Sequence, residues 1–337
     1  MSYHNKGKPQ HKWLGQNLPQ CLSGRLMCTG CQGNLQANLA GFECRACGQK
    51  YKIQDGVPVF WASSDEFKNM ESEYYGREAL APSQSSVFRN YYHFTNYERK
   101  IKERSLSFLK PHSLILTLGG GDGRHGVSLC QMGHDVLETD LAPKAGLAAA
   151  GKFREAGGRH SWAVAAIDAE QIVFEAETFD AIYICAALHQ MPGRYKVAEQ
   201  VGRVLKKGGT LILAAEPNAW FYKILRPLAQ FLGIRSKQLW GQSVGDEANR
   251  GVSYKDIILF CQRAGLKPVY IQPKFFLTGL LYQSTEAFYR LLHKNHRDRL
   301  GTRQWEVEML TRMDFMIGLI PGIQRYPFYW TVAAKKI

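Results

Sequence analysis

The chain has 337 residues, 45% hydrophobic and 12% aromatic, enough to bury one large core and a smaller module. Its 43 Lys and Arg against 29 Asp and Glu give a formal net charge of +14, which suits an anionic partner or, more blandly, solubility alone. The polar, basic start MSYHNKGKPQHKW does not read as a secretory signal, and no run reaches the roughly 18 apolar residues of a spanning helix.

Residues 1–20 read as a flexible tail. Between Leu26 and Trp61 lie two C-x-x-C pairs, Cys28 with Cys31 and Cys44 with Cys47, twelve residues apart. Each pair sits on a tight turn eased by Gly30 or Gly48 and offers two thiolates to a tetrahedral ion. A ribbon of this size has too little core to fold alone, and metal binding of order 10 kcal/mol would supply the difference. The spacing therefore predicts a structural zinc ribbon over residues 21–62, with four cysteines leaving no open position for catalysis. The other four cysteines are scattered. That usage suits a reducing compartment, the cytoplasm. The segment resembles the small zinc-ribbon activator subunit of tRNA, rRNA and release-factor methyltransferases, through these pairs and the closing YKIQDGVPVF of Tyr51 to Phe60.

Residues 63–84 are polar and read as a linker with room for a short helix. From Val87 to Leu109 aromatic and basic residues alternate at helical spacing. This predicts either a helix over the edge of the main sheet or a lid carrying Tyr91, Tyr92, His93 or Tyr97.

From Pro111 onward strands and helices alternate at βαβ spacing. Strands are expected at 114–118, 135–139, 162–165, 181–185, 210–215 and 269–272, with a last one at 329–334. The fold class is thus α/β: a doubly wound, seven-stranded, mostly parallel Rossmann-like sheet, with the ribbon in front and an α-helical insertion before the last strand.

The first strand breaks into Gly119, Gly120, Gly121, Asp122 and Gly123. Glycine permits the turn and lets a ligand lie on the backbone. In a dinucleotide site the first glycine directly follows the strand, and counting from Gly119 puts Arg124 where the third glycine belongs. Asp122 would also set a carboxylate where a pyrophosphate must sit. A ligand without phosphates fits better.

Over residues 85–273 and the last strand, the chain resembles class I S-adenosylmethionine-dependent methyltransferases. The resemblance rests on LTLGGGDG, ETDLAP, Asp168-Ala169-Glu170 with TFDAIYICAALHQMP, and LKKGGTLILAAEPN, in that order. It implies that Gly119, Gly120, Gly121 and Gly123 approach the amino-acid part of S-adenosylmethionine. It implies also that Asp140, with Leu141 beside it, accepts from the ribose hydroxyls, and that Asp168 and Ala169 read the adenine. The alternatives are a helix cap for Asp140 and a turn role for Asp168. One position departs from the family: Thr117 stands where an acidic residue is usual. Either cofactor binding is weaker for it, or a helper comes from Asp122 or from the preceding helix. His189, just after the fourth strand, is either a base or acceptor-orienting group, or a packing and loop-anchoring residue.

Two segments, 219–251 and 275–328, lie outside the shared core, the first with an apolar stripe flanked by Lys and Arg. They are extra core helices, a cap over an apolar acceptor pocket, or a membrane-surface or partner face. The favoured reading is methylation of a small, apolar or lipid-like metabolite. RNA methylation is the alternative, supported by the charge but not by any clustered basic run, and a non-catalytic binding module is a third. Oligomeric state is not legible.

Overall fold

The computed structural model describes residues 13–16, 18–38, 40–61, 65–80, 103–157, 161–220, 222–224, 227, 251–274, 276–277 and 304–337. The chain divides into two compact units. One comprises Met1–Leu80, Pro111–Ile182 and Glu199–Gly209; the other comprises Ala81–Lys110, Tyr183–Ala198 and Thr210–Ile337. Among the described residues no helix is long and apolar enough to cross a membrane.

The first unit opens with β1 (Gly15–Gln16) and α1 (Leu18–Ser23). Four short strands follow, β2 (Leu35–Ala37), β3 (Gly41–Cys44), β4 (Lys50–Gln54) and β5 (Val57–Pro58), paired antiparallel in that order. Residues expected to be a linker form α2 (Glu66–Leu80), a 15-residue helix. Then come β6 (Leu114–Leu118), α3 (Arg124–Gln131), β7 (Asp135–Asp140), α4 (Pro143–Ala156) and β8 (Trp162–Ala166). Strands β6, β7 and β8 are parallel and buried on both faces, which is why they read as continuous apolar runs rather than as alternation. The order is β1-β8-β7-β6-β9, with β9 (Phe179–Cys185) running on into the second unit.

The expected tail over residues 1–20 is corrected from residue 13 onward; residues 1–12 lie outside the described part. Trp13 is buried, its Nε1 donates to Val164 O at 2.6 Å, and its ring meets Phe42 edge-on at 5.7 Å. Phe42 in turn packs on Phe60 at 5.1 Å, and Phe60 on Tyr51 at 5.9 Å. An indole buries a large apolar area and keeps one donor to satisfy, and β8 supplies the acceptor. The backbone joins in: Leu14 N–H donates to Gly56 O, Phe60 N–H to Ala166 O and Met27 N–H to Val173 O. Gly146 of α4 has no Cβ, which leaves room for Val57. The cysteine-bearing module therefore shares a core with the α/β sheet instead of standing on its own ribbon core.

The second unit holds the end of β9, α5 (Arg194–Val204), β10 (Leu205–Pro217), α6 (Tyr254–Arg263), β11 (Leu266–Lys274), α7 (Gln304–Gly318) and β12 (Tyr329–Lys336). Helix α5 and strand β10 also contribute to the first unit. Its strand order is β9-β10-β12-β11, with β12 antiparallel to both neighbours. Ser253 and Asp256 close a capping box on α6. Gly251 sits at φ +66°, where a Cβ would meet the Asn218–Ala219 backbone at 2.7 Å, so only glycine fits this turn. The seven expected strands correspond to β6 to β12, and among the described residues β1, from the supposed tail, adds a further strand beside β8. Helix α7 lies within the expected insertion before the last strand. Most of the 219–251 and 275–303 segments, and Tyr91, Tyr92, His93 and Tyr97, fall outside the described residues.

Replacing Trp13 by Ala should cost about 3–5 kcal/mol, the range for emptying a buried Trp site. Urea denaturation followed by far-UV circular dichroism would check this, and an unchanged midpoint would show that the indole is not part of the core.

Candidate functional site

The described chemistry in the first unit gathers where β6 ends against β7. Gly119 (φ +65°), Gly121 (φ +58°) and Gly123 (φ +78°) all take left-handed backbone that disfavours a side chain. Their surroundings differ. Among the described residues a Cβ on Gly121 would meet nothing within 4 Å, so they leave an open backbone surface there. A Cβ on Gly123 would strike Ala149 of α4, so this glycine serves helix packing. Gly120 carries no unusual φ, yet a Cβ there would collide with the Glu138 carboxylate.

Asp140, at the end of β7, accepts the Gly121 N–H at 2.9 Å on one oxygen and the Ala142 N–H at 2.9 Å on the other. It thereby ties the loop to the turn that starts α4. It is not a side-chain cap of that helix, whose N-cap is Ala142. Burial pushes its carboxyl pKa up, against the N–H groups of Ala142, Gly121 and Leu141. Each carboxylate oxygen has two acceptor sites, so the side chain can still take hydroxyl donors. The Leu141 carbonyl accepts from Trp61 Nε1 at 2.9 Å and from Ser72 Oγ at 3.4 Å, both outside the α/β core.

Asp168 follows β8 and is 8% exposed, with Ala169 next to it in the turn. Its Oδ1 accepts the Glu170 N–H at 2.9 Å; its Oδ2 accepts Lys68 Nζ at 2.7 Å, and Glu170 lies 3.5 Å from the same ammonium. Burial opposes the charge on Lys68, but Asp168 and Glu170 prevail and raise its pKa. Lys68 is on α2, in the stretch expected to be a linker. Its polar surroundings in sequence give no hint of a partner 100 residues away. The first unit thus brings together Gly119, Gly120, Gly121, Gly123, Asp140, Leu141, Asp168 and Ala169, and adds Trp61, Lys68 and Ser72.

Asp122 is committed elsewhere. It forms a two-point pair with Arg124, at 2.9 and 3.1 Å, and a second pair with Lys152. Burial works against its ionisation, yet the two cations hold its carboxyl well below the usual range. The Thr117 hydroxyl is occupied too: it donates to Leu137 O at 3.4 Å, and accepts the Thr139 N–H at 3.1 Å. Asp122 is thus neutralised by two cations of its own, and Thr117 carries no charge to set against a cation on the loop.

Glu138 sits in the middle of buried β7, 1% exposed, and neither carboxylate oxygen has a hydrogen-bond partner. One oxygen lies against Gly120, the other against Gly126 of α3, and a Cβ on either glycine would overlap it. Burial pushes its pKa up to about 8; the adjacent Thr117 hydroxyl works against this, and the Asp140 and Asp122 charges reinforce it. In the sequence Glu138 stands in a strand that also carries Asp135, Thr139 and Asp140, and nothing there singles it out.

In the second unit, His189 Nδ1 and Glu216 Oε2 are 2.9 Å apart. Glu216 is fully buried and also accepts the N–H groups of Ala187, Leu188 and His189 at 2.9, 3.0 and 3.1 Å. A carboxylate only accepts, so His189 Nδ1 is the donor in this bond. Glu216 faces inward because β10 bulges between Leu213 and Glu216, with Ala215 at φ +54°.

Cys28, Cys31, Cys44 and Cys47 place their sulfurs within 4.8 Å of one another, with Cys28–Cys47 at 3.6 Å and Cys31–Cys44 at 3.4 Å. Four sulfurs about 2.3 Å from one tetrahedral ion would stand roughly 3.8 Å apart, so the donor set fits such an ion. Burial raises the Cys28 pKa, but the Tyr51 hydroxyl, the Cys31 and Gly30 N–H groups and Cys47 bring it down to about 6, toward the thiolate a metal requires.

Glu138 yields a stability test. Its folded pKa, about 8, lies above the roughly 4.3 of an unfolded Glu, so the folded state binds the proton more tightly. Its contribution to stability is fully present below about pH 4 and is lost as pH rises through 8. Glu138→Gln removes that dependence: its Tm relative to wild type should climb by several degrees between pH 5 and pH 9. A difference that is flat with pH would show that Glu138 is ionised in the folded chain.

Residues 116–213 match the family described as "Methyltransferase domain". The sterol 4-C-methyltransferase strm-1 of Caenorhabditis elegans is 30% identical over 129 residues, 36% of this chain; the chain spans 39% of that relative's length. Among solved structures, phosphoethanolamine N-methyltransferase 2 of Haemonchus contortus, in complex with S-adenosyl-L-methionine, is similar at 16% identity and a TM-score of 0.45, over 72% of this chain and 52% of that one. The YcgJ protein of Bacillus subtilis is similar at 15% identity and a TM-score of 0.43, over 72% and 98%. The glycine loop of β6–α3, the carboxylate closing β7 and the strands and helices after them as far as residue 213 lie inside the matched residues, which carry a methyltransferase domain.

Proposed function

We propose that the chain transfers a methyl group from S-adenosylmethionine to a small, apolar or lipid-like acceptor. One observation carries the cofactor part: an open glycine backbone at Gly121 that is hydrogen-bonded to the buried-strand carboxylate of Asp140. S-adenosylmethionine, when bound, supplies a methyl group on a sulfonium. Gly119, Gly121 and Gly123 give the amino-acid end a surface without side chains, and Asp140 accepts from the ribose hydroxyls with its remaining lone pairs. Asp168 and Ala169 face the adenine, with Lys68 holding the Asp168 carboxylate in place. Displacement at a sulfonium disperses charge, so alignment and exclusion of water do most of the work. Where the acceptor must shed a proton, His189 Nε2 is the base, its tautomer fixed by Glu216.

The lipid-like acceptor is supported by α7, where Trp305, Met309, Met313 and Met316 recur at helical spacing and are 57, 48, 40 and 69% exposed. It is supported also by the name of the nematode relative, a sterol methyltransferase. The +14 charge favours RNA instead. We further propose that the four-cysteine cluster holds a structural zinc ion and that the free cysteines suit the cytoplasm.

Methyl transfer from tritiated S-adenosylmethionine should label a sterol or lipid extract and not bulk RNA, and Asp140→Ala should abolish both labelling and calorimetric binding of the cofactor. Salt-sensitive retention and labelling of RNA would overturn the acceptor class; full affinity in Asp140→Ala would displace the ribose contact. Separately, metal analysis of the Cys44→Ser, Cys47→Ser variant should lose about one equivalent of zinc per chain, and zinc content equal to wild type would refute the metal site.

A further inference from the structure

A buried carboxyl with no hydrogen-bond partner is unfavourable, and in Glu138 it is placed directly beneath a loop of glycines. Two glycines are spent on admitting it. Gly120 is free of unusual backbone angles, and Gly126 is inside a helix, where glycine is a poor choice. Both positions exclude a Cβ because the carboxylate oxygens occupy that space.

Among the described residues, the charged and polar side chains that bear on it are bound to other groups. On β7, Asp140 is bound to the Gly121 and Ala142 N–H groups. In the loop, Asp122 is paired with Arg124 of α3 and Lys152 of α4. On β6, the Thr117 hydroxyl bridges to the β7 backbone and carries no charge. On α4, the Phe153 ring lies 3.1 Å from where a Gly126 Cβ would stand. Among the described residues, Glu138 is the one acid under the loop with no cation of its own.

We infer that Glu138, reaching up from β7, supplies the negative charge that faces the ammonium group of an amino-acid-bearing ligand on the glycine loop, in place of an acid on β6 at Thr117. The inference rests on the cofactor reading above. Glu138 acts as a positioning residue through the loop rather than by contact. In the ligand-free protein its surroundings favour the neutral form, since burial and two like charges oppose ionisation. A cation brought onto the loop reverses that preference, because opposite charges a few ångströms apart attract strongly in a medium of low effective dielectric. Ligand binding therefore expels the Glu138 proton to solvent: the carboxyl O–H breaks, the carboxylate remains and the buffer takes the proton.

Titration calorimetry of the full chain with S-adenosylhomocysteine at pH 7, in two buffers of different ionisation enthalpy, counts that proton. The expected result is release of nearly one proton per ligand, roughly tenfold weaker binding in Glu138→Gln, and no release in that variant. 5′-Methylthioadenosine, which lacks the amino-acid part, should bind both proteins alike with no proton exchange. Wild-type binding of S-adenosylhomocysteine without proton release, or equal release with 5′-methylthioadenosine, would overturn the inference while leaving the cofactor reading intact. A wild-type protein that binds neither compound would overturn both. The wild-type count needs no variant, so it decides the matter even where Glu138→Gln folds poorly.

Discussion

The seam between β6 and β7 constrains everything built around it. Across a few ångströms it carries the Gly120 N–H bond to Thr139 O, the Thr117 hydroxyl shared between strands, and the Asp140 carboxylate clasping the Gly121 N–H. Buried parallel strands leave little room for polar groups, so each one at the seam must find a partner or tolerate its absence. Asp140 and Thr117 find partners in the backbone. Glu138 does not, and the loop above it is shaped by that fact: Gly120 and Gly126 are open where side chains would otherwise close.

The cysteine module belongs to the same construction. Small β modules are short of core, and this one borrows it, with Trp13, Phe42 and Phe60 forming an aromatic cluster whose polar end is satisfied by β8. Strand β5 seats on Gly146 of α4, the helix that follows the Asp140 turn. Trp61 and Ser72 then reach Leu141, and Lys68 reaches Asp168. The segment after the module is thus coupled by hydrogen bonds to two of the residues that would meet the adenosine end of the cofactor.

Much of this was legible in the sequence, for reasons that differ by element. Strands β6 to β10 and the helices between them follow from apolar runs punctuated by glycine, and Gly119 to Gly123 with Asp140 and Asp168 stand in a recognisable order. Glu138 was not legible as a site residue, because a strand buried on both faces has no polar side from which to read direction. Glu216 was hidden by the bulge at Ala215, which shifts the alternation on which inward and outward positions depend. Lys68 and Trp13 were hidden by distance: their partners lie 100 and 151 residues away. A lone tryptophan in a basic, polar stretch looks like part of a tail until the acceptor on β8 is in view.

The Trp13–Val164 bond has a consequence for how the chain is made. The indole leaves the ribosome 151 residues before its acceptor, which at synthesis rates of about 5–20 residues per second is an interval of roughly 8–30 s. For that time the amino-terminal module has no β8 to close against, and its aromatic cluster is open to water and to other nascent chains. The four thiols are complete by Cys47, and the metal ion proposed for them would hold the emerging segment together while it waits.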